Sequence, residues 1–182
     1  MTGKSKIYIF GASGSGTTTL GAHIAAAENL SHVDTDDHFW APGDPPFTVR
    51  SAPSQRLSSM SAALGSEGWV LTGECHRWGG EFVERADLIV LVSLPAPVRL
   101  MRLKAREQKR FGDRINEGGD MCEIHKDFMS WARAYDDPNF QGRSRARQER
   151  WLSEQRKPLC RIDGARPLLE SSKTVISMLR KV

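Results

Sequence analysis

Short continuous apolar runs alternate along the chain with segments in which apolar residues recur every three or four positions. The continuous runs predict five strands, at 6–10, 31–35, 69–72, 88–92 and 159–162. The periodic segments predict helices at about 18–29, 54–64, 98–109, 120–135, 144–156 and 168–179. Strands that alternate with helices pair in parallel and are covered by helices on both faces. The pattern therefore predicts an α/β fold around a five-stranded parallel sheet, with polar loops at 41–46 and 111–119.

Length, hydropathy and cysteine usage narrow the class of protein. A chain of 182 residues has the length of one domain, and it contains no apolar run near the roughly 18 residues that span a bilayer. Residues 1–6 lead directly into the first strand without the apolar stretch of a secretory signal. Three widely separated cysteines fit neither a disulfide framework nor a paired-cysteine metal site. We therefore expect a cytoplasmic protein of one domain that has reduced thiols and no membrane contact.

Positive charge is concentrated in the second half of the chain. The protein carries a formal net charge of +4, but residues 1–98 hold six Lys or Arg against ten Asp or Glu. Residues 99–114 and 141–161 each hold seven basic against two acidic residues. Such stretches bind either nucleic acid or a small polyphosphate. Nucleic acid ranks lower, because neither stretch has interleaved aromatic residues on which bases could stack.

A glycine-rich segment, Gly11-Ala12-Ser13-Gly14-Ser15-Gly16-Thr17-Thr18, lies between the first strand and the first helix. It matches the phosphate-binding motif G-x-x-x-x-G-K-[ST], except that Thr17 occupies the lysine position. Glycines let backbone N–H groups turn toward an anion, and the start of the following helix adds partial positive charge. The predicted phosphate-binding residues are Gly11, Ser13, Gly14, Ser15, Gly16, Thr17, Thr18 and Thr19.

With these features, the sequence resembles the small P-loop kinases of the nucleoside monophosphate, shikimate and gluconate kinase type. The loop is the specific part of the resemblance. Asp34-Thr35-Asp36 is similar to the acidic pair that shikimate-type kinases place near Mg²⁺ and the acceptor hydroxyl. Arg102 to Arg106 resembles the Arg-x-x-x-Arg helix that leads into the lid. Thr72-Gly73 departs from the Asp-Gly that relatives often carry after the third strand, whereas Ile162-Asp163-Gly164 resembles the end of the fifth.

The resemblance implies a particular architecture and particular ligands. The fold would be a three-layer P-loop fold with strand order 2-3-1-4-5. Residues 1–182 would form a single kinase-like domain with an acceptor-binding insertion at about 38–64 and a lid at about 102–125. ATP and Mg²⁺ would be the cofactors, and a small molecule would accept the phosphate.

Three neighbouring carboxylates, at Asp34, Asp36 and Asp37, repel one another unless a cation or a hydroxyl group binds between them. We assign Thr18 and Asp34 to the Mg²⁺ site, and Asp36 to the acceptor as its binding group or general base. The competing interpretation is a solvated turn that caps a helix.

Arginines supply the remaining candidates. Arg99, Arg102, Arg106 and Arg110 share one helix face. Arg102 and Arg106 are expected to stabilise the transferring phosphate by analogy with the family, whereas Arg99 and Arg110 are expected to be solvated. The arginines at 143, 145, 147 and 150 either bind phosphate or form a solvated helix face, and the second is favoured.

The segment after the third strand contributes Arg77, which either binds an anionic acceptor or forms a surface ion pair. Phe39, Trp40 and Phe47 either line an acceptor pocket or simply pack their loop.

Taken together, the sequence predicts ATP-dependent phosphoryl transfer to a small molecule. A nucleotide-binding sensor without turnover is the alternative, because Thr17 removes a catalytic charge. A dinucleotide-dependent enzyme is a third interpretation, since Asp34 and Asp36 follow the glycines by roughly 20 residues, although the spacing is not G-x-G-x-x-G.

Overall fold

A computed structural model describes residues 5–182, and its central feature is one five-stranded sheet. The strands lie in the order β2-β3-β1-β4-β5, with β1 parallel to both β3 and β4 and β2 parallel to β3. Their bounds are β1 Lys6–Gly11, β2 Ser31–Asp34, β3 Trp69–Thr72, β4 Leu88–Ser93 and β5 Leu159–Asp163. The predicted α/β fold and strand order are therefore confirmed.

Eight α-helices and two 3-10 helices connect or follow these strands within the described part of the chain. The α-helices are α1 Thr17–Glu28, α2 Asp36–Phe39, α3 Pro53–Leu64, α4 Gly80–Glu84, α5 Ala96–Phe111, α6 Cys122–Arg133, α7 Arg145–Ser153 and α8 Leu168–Leu179. The 3-10 helices are Gly112–Ile115 and Ala134–Asp136. The sequence did not predict α2 and α4, because helices of four and five residues are too short to show a period. The segment expected to be a loop from 111 onward likewise contains a 3-10 turn.

The chain divides into two compact units. Within the described part of the chain, the first consists of residues 5–11 together with Gly16–Val92 and Lys157–Val182, and it holds all five strands apart from the last residue of β4. The second consists of Ala12–Ser15 and Ser93–Arg156. The four central residues of the glycine-rich loop thus cluster with α5, α6 and α7.

The core of the first unit explains why the apolar runs became strands. Ile7, Ile9, Leu88 and Val90 are fully buried, as expected for parallel strands covered on both faces. They pack in one cluster with α1 and α8, whose members include Leu20, Ile24, Val175 and Leu179. No helix in residues 5–182 is long and apolar enough to cross a membrane.

The second unit is organised around a buried arginine that the sequence analysis placed wrongly in solvent. The Arg99 side chain is fully buried, and its Nη2 lies 2.6 Å from Oδ2 of Asp136. Its Nε donates to the carbonyl of Leu94 at 3.1 Å, and its guanidinium lies 4.9 Å from the ring centroid of Tyr135. The helical repeat places residue 99 one turn before buried Leu103, and the distant carboxylate that makes burial possible leaves no local signal.

Replacing Asp136 with alanine is expected to destabilise the protein by about 3 kcal/mol, because the Arg99 charge would stay buried without its partner. Arg145 provides a matched control, since it contacts the other oxygen of Asp136 from an exposed position. Arg145→Ala should cost less than about 1 kcal/mol. Urea denaturation of both variants measures the free energy of unfolding. Equal losses in the two variants would show that the buried contact of Arg99 with Asp136 contributes no more than the exposed contact of Arg145.

Candidate functional site

The glycine-rich loop forms a tight turn between β1 and α1. Gly14 and Gly16 have φ values of 82° and 101°, which side chains other than glycine rarely tolerate. The N–H of Ser15 donates to the carbonyl of Ala12 at 3.1 Å and closes the turn. Gly16 is the N-cap of α1, so the amides of its first turn, Thr17 to Thr19, have no partner inside the helix. The loop therefore ends at a helix terminus of the kind that attracts anions.

The side chains on the loop differ in exposure. Ser15 is buried, Ser13 and Thr17 are half-buried, and Thr18 and Thr19 are exposed. Ser15 is buried and its N–H is used in the turn, whereas Thr18 and Thr19 can present hydroxyl groups to a ligand.

A cluster of polar side chains in the first unit surrounds the Asp34 carboxylate. The hydroxyl of Thr18 donates to Oδ2 of Asp34 at 2.8 Å, and the hydroxyl of Thr72 donates to the same oxygen at 3.0 Å. Oδ1 of Asp34 accepts the backbone N–H of Asp36 at 3.0 Å. The structure thus brings the two predicted Mg²⁺ ligands, Thr18 and Asp34, into direct contact.

Hydroxyl and carboxylate oxygens are ligands that Mg²⁺ accepts. Within residues 5–182, no three His, Cys, Asp or Glu side chains converge on a possible metal position. A Mg²⁺ ion at Thr18 and Asp34 would therefore complete its coordination with water and phosphate oxygens, as Mg²⁺ usually does in nucleotide sites.

His32 and Thr72 support this cluster and were missed by the sequence analysis. Nε2 of His32 lies 3.0 Å from the hydroxyl of Thr72, which in turn contacts Asp34. Burial lowers the pKa of His32 below its usual 6.5, although the charges of Asp34 and Asp37 oppose the shift, so the ring is neutral near pH 7. The period-two alternation of β2, which places residues 32 and 34 on the same side of the strand, was the available signal.

Asp36 and Asp37 are exposed in the first turn of α2. The positive φ of Gly73, 94°, allows the end of β3 to approach Thr35, whose hydroxyl would lie only 2.0 Å from a Cβ at that position. Nδ1 of His38 lies 3.0 Å from the hydroxyl of Ser59 on α3, which indicates a structural role for this histidine.

Aromatic residues of the predicted acceptor insertion pack against one another. The ring centroids of Phe39 and Trp40 are 4.9 Å apart, and Trp78 lies 5.9 Å from Phe39. The guanidinium of Arg56 lies 4.1 Å from the Phe39 ring centroid. Arg56, on α3, and Trp78, after β3, were not among the predicted residues, because no pattern in the sequence links either of them to Phe39.

Arg77 precedes Trp78 and is exposed. Neither a hydrogen bond nor an ion pair joins its side chain to the rest of residues 5–182. The expected alternative of a surface ion pair is therefore not observed within this part of the chain, and the assignment of Arg77 to an anionic acceptor stays a prediction.

A buried tyrosine within β1 contacts a buried cysteine that follows β3. The hydroxyl of Tyr8 accepts the N–H of Cys75 at 3.1 Å, and both side chains are fully buried. Burial raises the pKa of Tyr8 above its usual 10.0 and raises the pKa of Cys75 to about 12. Since the thiolate is the reactive form, Cys75 is an inert structural thiol.

Iodoacetamide at pH 8 is accordingly expected to leave Cys75 unmodified in the native protein and to modify it in urea, as read by peptide mass spectrometry. Rapid labelling of Cys75 in the native protein would contradict its assignment as an inert thiol.

The raised pKa of Cys75 also predicts a loss of stability at high pH. The native state keeps its proton while the unfolded thiol loses it, so the free energy of unfolding should fall from about pH 9 toward pH 12. A Cys75→Ala variant should lack this part of the pH dependence, as measured by urea denaturation at each pH.

In the second unit, Arg102 and Arg106 are exposed on α5. Nη2 of Arg106 lies 3.3 Å from Oε1 of Glu107, and its guanidinium lies 6.0 Å from the Phe128 ring centroid. Arg110 is exposed, as the sequence analysis expected. The roles of Arg102 and Arg106 in phosphate transfer stay predictions.

Arg143 departs from the expected solvated face. It lies before α7 and is half-buried, and its Nη2 donates to the hydroxyl of Ser13 on the glycine-rich loop at 2.5 Å. Arg145 and Arg147 make other contacts, to Asp136 and to the carbonyl of Gln141. Because these arginines alternate in sequence, a helical pattern did not separate Arg143 from the others.

Comparison with solved structures defines the fold class. Shikimate kinase from Bacteroides thetaiotaomicron is similar with a TM-score of 0.56 and 17% identity, and the match covers 97% of this chain and 98% of that one. A gluconokinase from Sinorhizobium meliloti gives 0.52 at 17% identity, with coverage of 97% and 92%. A sugar kinase from Janibacter gives 0.54 at 14% identity, with coverage of 97% and 95%. The protein thus has the fold of the small P-loop kinases.

No family model matches the chain. Uncharacterized protein YqaC of Bacillus subtilis (strain 168) is 36% identical over 160 residues, which are 88% of this chain and 89% of that protein. The chain therefore belongs to the same family as YqaC.

Proposed function

We propose that this protein binds ATP with Mg²⁺ at the loop Gly11–Thr19 and transfers the γ-phosphate to a small molecule. The observation that carries the proposal is the 2.8 Å contact between the Thr18 hydroxyl and the Asp34 carboxylate, at the start of the helix that follows the loop. A kinase of this fold needs a hydroxyl after the loop and a carboxylate beside it. This protein has both.

The residues present fit these ligands. The left-handed backbone at Gly14 and Gly16 is the conformation in which loop amides turn toward an anion. Thr18 and Asp34 offer the oxygen donors that Mg²⁺ requires. Bound Mg²⁺ would neutralise charge on the phosphate oxygens. The loop amides and the first turn of α1 would hold the phosphates in one orientation.

The other predicted residues act on the acceptor and on the developing charge. Asp36, exposed at the start of α2, is the proposed base that accepts the proton of the acceptor hydroxyl. Arg77, which is exposed after β3, would bind an anionic group of the acceptor. Arg102 and Arg106 would stabilise the charge on the transferring phosphoryl group.

A second candidate function is a nucleotide-binding sensor without turnover. The observation that favours it is the lack of any charged side chain in the sequence from Gly11 to Leu20. A lysine there supplies a charge-assisted hydrogen bond worth roughly 1.5–3 kcal/mol, which is more critical for transfer than for binding. The dinucleotide alternative receives no support from the three similar structures named above, each of which is a kinase by its name.

A transfer assay separates these functions. The protein is incubated with Mg²⁺ and γ-labelled ATP and with pools of sugar acids, nucleosides and hydroxylated antibiotics, and labelled products are separated by chromatography. The kinase proposal predicts acceptor-dependent product from one pool and none from a Thr18→Val variant. ATP binding without product in any pool would favour the sensor.

A further inference from the structure

The phosphate loop lacks a cation of its own, yet an arginine from elsewhere in the second unit contacts it. The Nη2 atom of Arg143 lies 2.5 Å from the Ser13 hydroxyl, 130 positions away in sequence. Ser13 is the third residue of the motif that begins at Gly11. A guanidinium group is therefore held at a loop whose sequence provides no charge.

The surroundings of Arg143 keep it in place without neutralising it. Its guanidinium lies 4.8 Å from the ring centroid of Trp131, and a cation over an indole face is favourable. Its Nε is buried and has no hydrogen-bond partner among residues 5–182. No carboxylate in this part of the chain forms an ion pair with it. A partly desolvated cation without a counter-charge favours the binding of an anion.

Arg99 makes the contrast clear, because its guanidinium also reaches Ser13. Nη1 of Arg99 lies 3.5 Å from the Ser13 carbonyl, but its Nη2 lies 2.6 Å from Asp136. The charge of Arg99 is thus paired within the unit. Of the two arginines that contact Ser13, Arg143 is the one whose charge remains available to a ligand.

We propose that Arg143 is the phosphate-binding cation of this loop and replaces the missing lysine at Thr17. Its ligand is the terminal part of a polyphosphate chain, such as the β and γ phosphates of ATP. The guanidinium of Arg143 would supply the positive charge and the N–H donors that the lysine of the motif normally provides. This inference rests on the proposed function, because it assigns a residue to the same ATP site.

The test is a double-mutant cycle on Mg-ATP affinity, measured by calorimetry on the full chain. Arg143→Met should weaken Mg-ATP binding at least about tenfold, the effect of one charge-assisted hydrogen bond. Arg150→Met, at an exposed arginine of α7, is the matched control and should change affinity less than twofold. Adding Thr17→Lys to Arg143→Met should restore most of the affinity, whereas Thr17→Lys in the wild type should add little.

Inorganic tripolyphosphate is the second probe, because it retains the phosphates and lacks the nucleoside. We expect the wild type and its variants to rank in the same order by affinity for tripolyphosphate as by affinity for Mg-ATP. Arg143→Lys, which keeps the charge and the aliphatic stem, should bind within about threefold of the wild type and covers the case in which Arg143→Met does not fold.

The outcomes separate this inference from the function on which it rests. Wild-type affinity in Arg143→Met, or no recovery in the double variant, would overturn the role of Arg143 and leave ATP binding standing. A loss of about tenfold or more in Arg143→Lys that is still folded would also overturn it. Absence of any ATP and tripolyphosphate binding by the wild type would overturn both.

Discussion

Replacing Asp36 with asparagine is expected to lower the kcat of phosphoryl transfer about 10²- to 10⁴-fold, because the amide cannot accept the acceptor's proton. The exposed position of Asp36 at the start of α2 keeps the effect on folding small. Mg-ATP affinity should change little, since Asp36 is assigned to the acceptor. Initial rates with the acceptor identified by the pooled assay, together with calorimetry, measure both quantities.

Asp37 is the matched control for this prediction. It is the neighbouring carboxylate, equally exposed in the same helical turn. Asp37→Asn should keep kcat within about threefold of the wild type, because no role in the chemistry is assigned to it. Equal losses in the two variants would point to the shared charge of the turn, and wild-type rates in both would remove Asp36 from the mechanism.

Asp34→Asn is expected to lower activity about 10- to 100-fold and to raise the Mg²⁺ concentration needed for half-maximal rate. The carboxylate accepts hydrogen bonds from Thr18 and Thr72 on one oxygen and from the Asp36 amide on the other. The neutral amide loses the charge that attracts Mg²⁺ and disturbs all three contacts. A Mg²⁺ titration at saturating ATP measures the shift.

Excess Mg²⁺ should recover part of the activity of Asp34→Asn, because the defect lies in metal affinity. It should not recover Asp36→Asn, whose defect lies in proton transfer. A defect in Asp34→Asn that does not respond to Mg²⁺ would contradict the assignment of Asp34 to the metal site. Asp34 would then be a residue that only positions the starts of α1 and α2 through its hydrogen bonds.

The sheet could be predicted because its determinants are local. The fully apolar run of β4 and the glycine-rich turn before α1 each indicate one element without reference to the rest of the chain. The strand order came from the resemblance to the kinases and is confirmed. Thr18 and Asp34 were both assigned to a Mg²⁺ site, and the structure places the two side chains 2.8 Å apart, while the metal itself stays a prediction.

The errors concern side chains whose partners are distant in sequence. Arg99 is buried because Asp136 lies beside it, 37 positions later in the chain. Arg143 contacts Ser13, which is 130 positions away in the sequence, and a local sequence pattern cannot indicate such a contact. His32 supports Asp34 only through Thr72 on the neighbouring strand. In each case the chain's topology, rather than its local pattern, brings the groups together.

Binding of ATP by the loop without a lysine is tested by a calorimetric titration of the wild-type protein with Mg-ATP, beside a Thr17→Lys variant and in competition with NADH. We expect saturable binding of one ATP per chain by the wild type, little gain from Thr17→Lys, and no displacement by NADH. Binding by the Thr17→Lys variant alone would show that the loop does not function without its lysine, and it would contradict the assignment of this protein as an ATP-dependent kinase.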